Sequence, residues 1–206
     1  MTTTAAPPST RERILATTAE LFRRQGYTGT GLKQIVAEAN APFGSLYHHF
    51  PGGKEQLGAE VIRSAGKMYQ ELVMAILRGA PDLVTAVRDA FLAAAVVLDE
   101  TDYADACPIE TVALEVSSTN ETLREACAEV FESWIAAGTG VHVESGLPRQ
   151  KARELTILFI SALEGAFVLC RAQRNTEALE VAAELVSSLV EDALLTTKAT
   201  SRRSKR

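Results

Sequence analysis

Apolar residues recur at steps of three and four along almost the whole chain, and no run alternates apolar with polar as a half-buried strand does. The pattern predicts an all-α fold. Ser9 with Glu12 three residues later forms a capping box, and Ile14, Leu15, Ala19 and Phe22 continue an apolar face as far as Gly26. Leu32, Ile35, Val36 and Ala39 mark a second, short helix with Thr30 as its expected N-cap, and Leu46 and Phe50 mark a third. Leu57, Val61, Ala65, Met68, Leu72 and Ile76 then trace a long helix that ends at Gly79-Ala80-Pro81. Beyond it, Asp82 caps a helix with Val87, Phe91, Leu92, Ala95 and Leu98 inside. Cys107-Pro108 opens a short helix through Val116, and Asn120 caps another containing Leu123, Val130, Phe131, Trp134 and Ile135. Gly146-Leu147-Pro148 stops that helix and starts the next. Two apolar helices close the chain, one with Leu155, Phe159, Ala162, Leu163, Ala166, Phe167 and Cys170, the other with Leu179, Ala182, Val186, Leu189 and Ala193.

The second and third helices form the informative pair. Asn40 stands where the chain must reverse and tolerates a left-handed backbone, and Pro42 presets the start of the next helix. The result reads as a helix-turn-helix. With Leu46 and Phe50 turned inward, Phe43, Gly44, Ser45, Tyr47, His48 and His49 face outward or sideways. Gly44 costs about 1 kcal/mol relative to alanine in a helix, which close approach to another backbone would motivate. A DNA major groove accepts a helix, and a serine hydroxyl with a tyrosine beside it can bond phosphates or base edges. Thr30, Lys33 and Lys54 are phosphate candidates, Lys54 above Lys33 because it follows the helix-breaking Pro51-Gly52-Gly53 loop.

The net charge of −5 argues against a nucleic-acid binder until it is divided along the chain. Residues 1–63 carry 7 Lys+Arg against 5 Asp+Glu, residues 64–195 carry 9 against 21, and residues 196–206 carry 5 against none. A polyanion is therefore expected to dock only on the first segment. No basic leader precedes an apolar run and no apolar stretch of spanning length is free of charge, so neither secretion nor a membrane span is expected and the protein is placed in the cytoplasm. Cys107, Cys127 and Cys170 form neither a paired framework nor a metal-type spacing.

Ser9 to about Arg63, through RILATTAELFRRQGYTGTGLKQIVAEA, GSLYHHF and KEQL in that order, resembles the DNA-binding domain of TetR-type transcriptional regulators. More narrowly, APFGSLYHHFPGGKEQL, CPIETVALEV and LEGAFVLCRAQR resemble the LmrA/YxaF-like branch, with Asn40 where a glycine is usual and Phe43 where a basic residue is usual. The resemblance implies an N-terminal three-helix DNA-binding domain, here residues 9–63, and a C-terminal helical domain for effector binding and dimerisation, here residues 64–195. Residues 1–8 and 196–206 are expected to be disordered tails. It further implies a regulator, a repressor in this reading, whose partners are double-stranded operator DNA and a small-molecule effector that releases it. The DNA-binding candidates are Thr30, Lys33, Phe43, Gly44, Ser45, Tyr47, His48 and Lys54.

A single short recognition helix reads few base pairs, so two copies on a two-fold axis are expected. The last two helices carry apolar residues on more than one face, and Ala162, Gly165 and Ala166 permit close helix approach. They predict a homodimer. Met68, Leu72, Phe91, Val112, Phe131, Trp134 and Phe167 could fill a core or line a pocket for an apolar or aromatic ligand, and the resemblance favours the pocket. No residue cluster calls for a cofactor or a metal, and none points to catalysis. His142 and Glu144 are two apart and share no helix face, while Glu110 and Glu115 lack a partner at metal spacing. The other reading is a small-molecule or thiol redox sensor without direct DNA binding, with Cys107 beside a helix start as the working group.

Overall fold

The computed structural model describes residues 7–105 and 107–204, with side chains to residue 200. Among these residues there are nine α-helices and no strand. They are α1 (Thr10–Gln25), α2 (Leu32–Glu38), α3 (Phe43–His49), α4 (Gly53–Gly79), α5 (Leu83–Glu100), α6 (Pro108–Val116), α7 (Glu121–Glu144), α8 (Arg149–Gln173) and α9 (Glu177–Ser204). Two compact units divide them. One contains the described residues up to Gly66 with Pro108–Val130; the other contains Lys67–Cys107 with the described residues from Phe131 on.

In the first unit α1 packs against α2, α3 and α6. The Ser9 hydroxyl accepts from the Glu12 amide and the Glu12 carboxylate accepts from the Ser9 amide, so the expected capping box starts α1. Its inward face is Ile14, Thr18, Leu21 and Phe22. Leu15 and Ala19 are only half-buried; Thr18 takes the inner position because its hydroxyl donates to the Ile14 carbonyl, 2.7 Å away, and needs no outside partner. From α2 and α3, Ile35, Leu46 and Phe50 are fully buried against this face.

The turn between α2 and α3 is left-handed at Asn40, with φ of 47°, as its side chain allows. Arg13 of α1 holds it: Nε donates to the Ala39 carbonyl at 3.1 Å and Nη2 to the Asn40 carbonyl at 3.2 Å. Pro42 is the N-cap of α3. The N-cap of α2 is Gly31 and not Thr30, which is fully buried and donates its hydroxyl to the Gly26 carbonyl at 2.7 Å.

The second unit wraps α5, α8 and α9 around a core that includes Phe91, Leu98, Leu155, Phe159, Leu179, Val186 and Val190. Asp82 caps α5 through the Thr85 amide, as expected. Leu92 and Leu189 depart from the sequence pattern and are exposed, and on α9 Val190 is buried instead. By length and composition α8 could cross a membrane, but here Ala152, Leu155, Phe159, Ala166 and Cys170 face this core.

The expected C-terminal tail is helical as far as Ser204. The backbone of α9 continues past Leu195 to Ser204, and Thr197 and Thr200 bond back to the carbonyls of Ala193 and Thr196. Basic residues are also favourable at a helix C-terminus, where they offset the dipole. At the other end, residues 1–6 of the expected tail 1–8 lie outside the described residues.

Replacing Arg13 by alanine leaves two turn carbonyls without their charged donor. A loss of about 1–3 kcal/mol in unfolding free energy is expected, measured by urea denaturation.

Candidate nucleic-acid interface and effector cavity

The outward face of α3 is assembled by what its inward face must do. Leu46 and Phe50 are committed to the core, which leaves Phe43, Gly44, Tyr47 and His48 exposed, with Ser45 and His49 half-buried at the sides. A Cβ added at Gly44 would meet nothing within 4 Å, so no packing inside the chain requires a glycine there. Phe43 and Tyr47 lie edge to face, 5.9 Å apart, and form a small aromatic ridge one turn long. No carboxylate occurs between Ala39 and Lys54. The face thus offers hydroxyl and imidazole groups and carries no carboxylate of its own.

The three flanking candidates are not equivalent. Lys33 on α2 is exposed. Lys54 is half-buried, its Nζ 4.2 Å from the centre of the Tyr27 ring, and burial lowers its pKa while Glu115 acts against that shift. Thr30 has no exposed surface. At the start of α4, Gly53 adopts a left-handed φ of 63°, and a Cβ there would lie 3.6 Å from the Tyr47 ring.

The net positive charge of the first 63 residues does not extend to their compact unit, because Pro108–Val130 belongs to it and brings five glutamates against one arginine. Several of these acids are engaged. Glu115 accepts from the Thr28 amide at 2.7 Å, Glu129 from Arg63 at 2.7 Å, and Glu121 pairs with Arg124. The lack of carboxylates is thus a property of the α3 stretch and not of the unit.

The second unit contains a cavity of about 260 Å³. Its lining is mostly apolar, with Leu72, Val73, Leu77, Val97, Trp134, Phe159, Leu163 and Phe167 among the contributors, and Tyr69, Gln70, Asp105, Cys107, His142, Thr156 and Glu164 as polar members. Three of the seven residues expected at a ligand site, Leu72, Trp134 and Phe167, lie together on this wall. The other four do not line it. Phe91 is fully buried in the core, edge to face with Phe159 at 4.9 Å, and Phe131 packs edge to face on Trp134 at 5.7 Å. Met68 is 54% exposed, and Val112 is buried in the first unit. Helical periodicity marks which residues face inward but does not separate a filled core from a lined cavity.

His142, which the sequence spacing gives no metal partner, is one of the polar residues lining the cavity. It is 2% exposed, and its Nδ1 lies 2.8 Å from the Gly138 carbonyl one turn earlier. Burial lowers its pKa against the opposing effect of that hydrogen bond. Glu144, two residues on, is exposed, as their spacing requires. The thiols are all buried. Cys107 lines the cavity at 6% exposure, and burial pushes the Cys127 thiol up to about 11. Among the described residues no group of three or more His, Cys, Asp or Glu could hold a metal.

An all-helical chain with an exposed recognition helix in one unit and an apolar cavity in the other has the architecture of a ligand-responsive transcriptional regulator. Residues 14–61 match the bacterial regulatory proteins of the tetR family, and residues 84–185 match the C-terminal domain of LmrA/YxaF-like transcriptional regulators. The chain belongs to the TetR family, in its LmrA/YxaF-like branch, and is a transcriptional regulator with a TetR-type DNA-binding domain rather than an enzyme. It is 37% identical over 87% of its length to the HTH-type transcriptional regulator YxaF of Bacillus subtilis, covering 94% of that protein. Identity to the regulator LmrA of the same organism is 32%, over 82% of this chain and 90% of LmrA. In fold it is similar to a TetR transcriptional regulator from Legionella pneumophila, with a TM-score of 0.79, 23% identity, and coverage of 90% and 99% of the two chains. These relationships do not favour a sensor that works without DNA.

The buried His142 has a consequence for acid stability. Its folded pKa lies below the ordinary value of 6.5, so the unfolded chain binds the proton more readily and stability falls as pH drops through about 6.5 and below. His142→Gln is expected to flatten that part of the stability profile between about pH 6.5 and pH 5, measured by thermal unfolding at a series of pH values.

Proposed function

We propose that the protein is a homodimeric repressor that holds operator DNA through two copies of α3 and releases it when a small apolar or aromatic effector enters the cavity. The observation that carries the DNA reading is the α3 face, where a glycine with open space above it stands beside exposed Tyr47 and His48 in a stretch free of carboxylates. In this reading Gly44 lets α3 sit deep in the major groove. Ser45, Tyr47 and His48 contact phosphates or base edges, and Phe43 makes apolar contact where a basic residue is usual. Lys33 meets the phosphate backbone. Lys54 reaches a phosphate from its seat over Tyr27, and Thr30 acts indirectly by holding the turn before α2. Such work places the protein with the chromosome, in the cytoplasm.

Support for the dimer comes from the outer faces of α8 and α9. Ile157, Leu158, Val168 and Leu169 on α8, and Val181, Leu185 and Leu189 on α9, are each 39–62% exposed. A Cβ on Gly165 would meet nothing within 4 Å, so the middle of the α8 stripe is open to a second helix pair. Stripes of this size on neighbouring helices favour burial by another copy, and a two-fold dimer calls for DNA half-sites about 34 Å apart or a small multiple of it.

Release then follows from linkage. An effector that prefers a conformer in which the two α3 helices no longer match the half-sites weakens DNA binding, and DNA weakens effector binding by the same factor. The chain offers a covalent route, since α4 and α7 each contribute residues to both units.

Tyr47→Phe should weaken binding to a selected operator about fivefold, the worth of one hydrogen bond. Lys33→Ala should weaken binding to all sequences alike and reduce the slope of log affinity against log salt by about 1. Both are read by fluorescence anisotropy. The double change Leu185→Glu with Leu189→Glu should give monomers in sedimentation velocity and abolish operator binding. Dimers of full operator affinity would refute the proposed interface.

A further inference from the structure

Phe43 opens α3 and is 45% exposed, and of the side chains that this helix exposes it is the one without a hydrogen-bonding atom. Its ring is braced. It lies edge to face on Tyr47, with centroids 5.9 Å apart and planes at 61°, and Tyr47 is backed by Gly53, where an added Cβ would fall 3.6 Å from its Cε1. A large apolar surface is thereby held out in water and loses little further side-chain freedom on meeting a partner. Gly44, the next residue, has nothing within 4 Å of the place a Cβ would take. A groove that admits the backbone at Gly44 also meets the ring of its neighbour.

The base edges of the major groove are not alike to such a ring. Guanine, adenine and cytosine are marked there by hydrogen-bond donors and acceptors, whereas thymine carries a 5-methyl group. A phenyl ring laid against a polar edge strips water from donors and acceptors and replaces none of the lost bonds. Against the thymine methyl it buries apolar surface on both sides. Ser45, Tyr47 and His48 differ in this respect, since each has a polar atom with which to bond a base or a phosphate.

We infer that Phe43 is a specificity-determining residue, and that it reads the 5-methyl group of one thymine in each half-site of the operator. The inference rests on α3 lying in the major groove, as proposed above. Readout at this position is then independent of charge, unlike the phosphate contacts proposed for Lys33 and Lys54, which position the protein on DNA without reading its sequence.

The test compares thymine with uracil, which keeps the base pairing and lacks only the methyl. An operator recovered by selection from random DNA is resynthesised with deoxyuridine in place of each thymidine in turn, and binding of the protein is read by fluorescence anisotropy. One thymine at the same place in each half-site should stand out. Uracil there should weaken binding about fourfold in one half-site and about fifteenfold in both, the worth of one buried methyl each. In Phe43→Ala the ratio of thymine to uracil affinity at that place should fall to about one. The ratio, unlike the affinity itself, does not move when a substitution merely loosens α3, and the wild-type comparison needs no substitution at all. A specific operator that tolerates uracil at every position, or a uracil penalty that survives in Phe43→Ala, would overturn the inference and leave the DNA reading standing. Recovery of no specific operator would overturn both.

Discussion

The structure depends on a constraint of scale. Two helices of seven residues each, α2 and α3, are too short to persist alone in water, so the surface proposed to read DNA exists only while its inner side is buried. Ile35, Leu46 and Phe50 supply that side at zero exposure, and α1 supplies the wall they close against. Arg13 then fixes the direction of the chain between them by binding the carbonyls of Ala39 and Asn40. Every outward residue of α3 inherits its position from these contacts. The glycine at position 44, unfavourable for an isolated helix, is tolerated because burial and not propensity maintains the helix.

The second unit solves a different problem with the same material. Its core is complete around Phe91, Phe159, Leu179 and Val186, yet space remains beside it, walled by Leu72, Trp134 and Phe167. A small helical unit that fills its core and keeps a cavity must leave apolar residues elsewhere, and α8 and α9 do so on their outer stripes. Cavity and stripes are thus alternative uses of one surplus of apolar side chains. In the proposed function the first takes an effector and the second takes another copy of the chain.

The helices and most of their limits were legible because caps and breakers are local. Ser9 with Glu12, Asp82, Asn120 and Pro148 each act within one turn, and each sits where the sequence places it. The outward face of α3 was legible for the same reason, since Leu46 and Phe50 fix its rotation. Thr30 was misread because its hydroxyl has two plausible destinations, and the one it takes, the Gly26 carbonyl, depends on how the preceding turn folds. Lys54 reads as a loop lysine until Tyr27, 27 positions earlier, is found beneath it. The cavity was half legible. Aromatic and aliphatic residues at helical spacing do not reveal whether space is left between them.

Two copies of α3 on a two-fold axis are proposed to read one specific DNA site, and selection from random double-stranded DNA by the purified protein examines this without an operator being known beforehand. The expected result is enrichment of one inverted-repeat sequence, with half-sites a turn of the double helix or a small multiple apart, whose binding survives nonspecific competitor and weakens steeply with salt. Recovery of no common sequence, or of binding that competitor removes entirely, would contradict it.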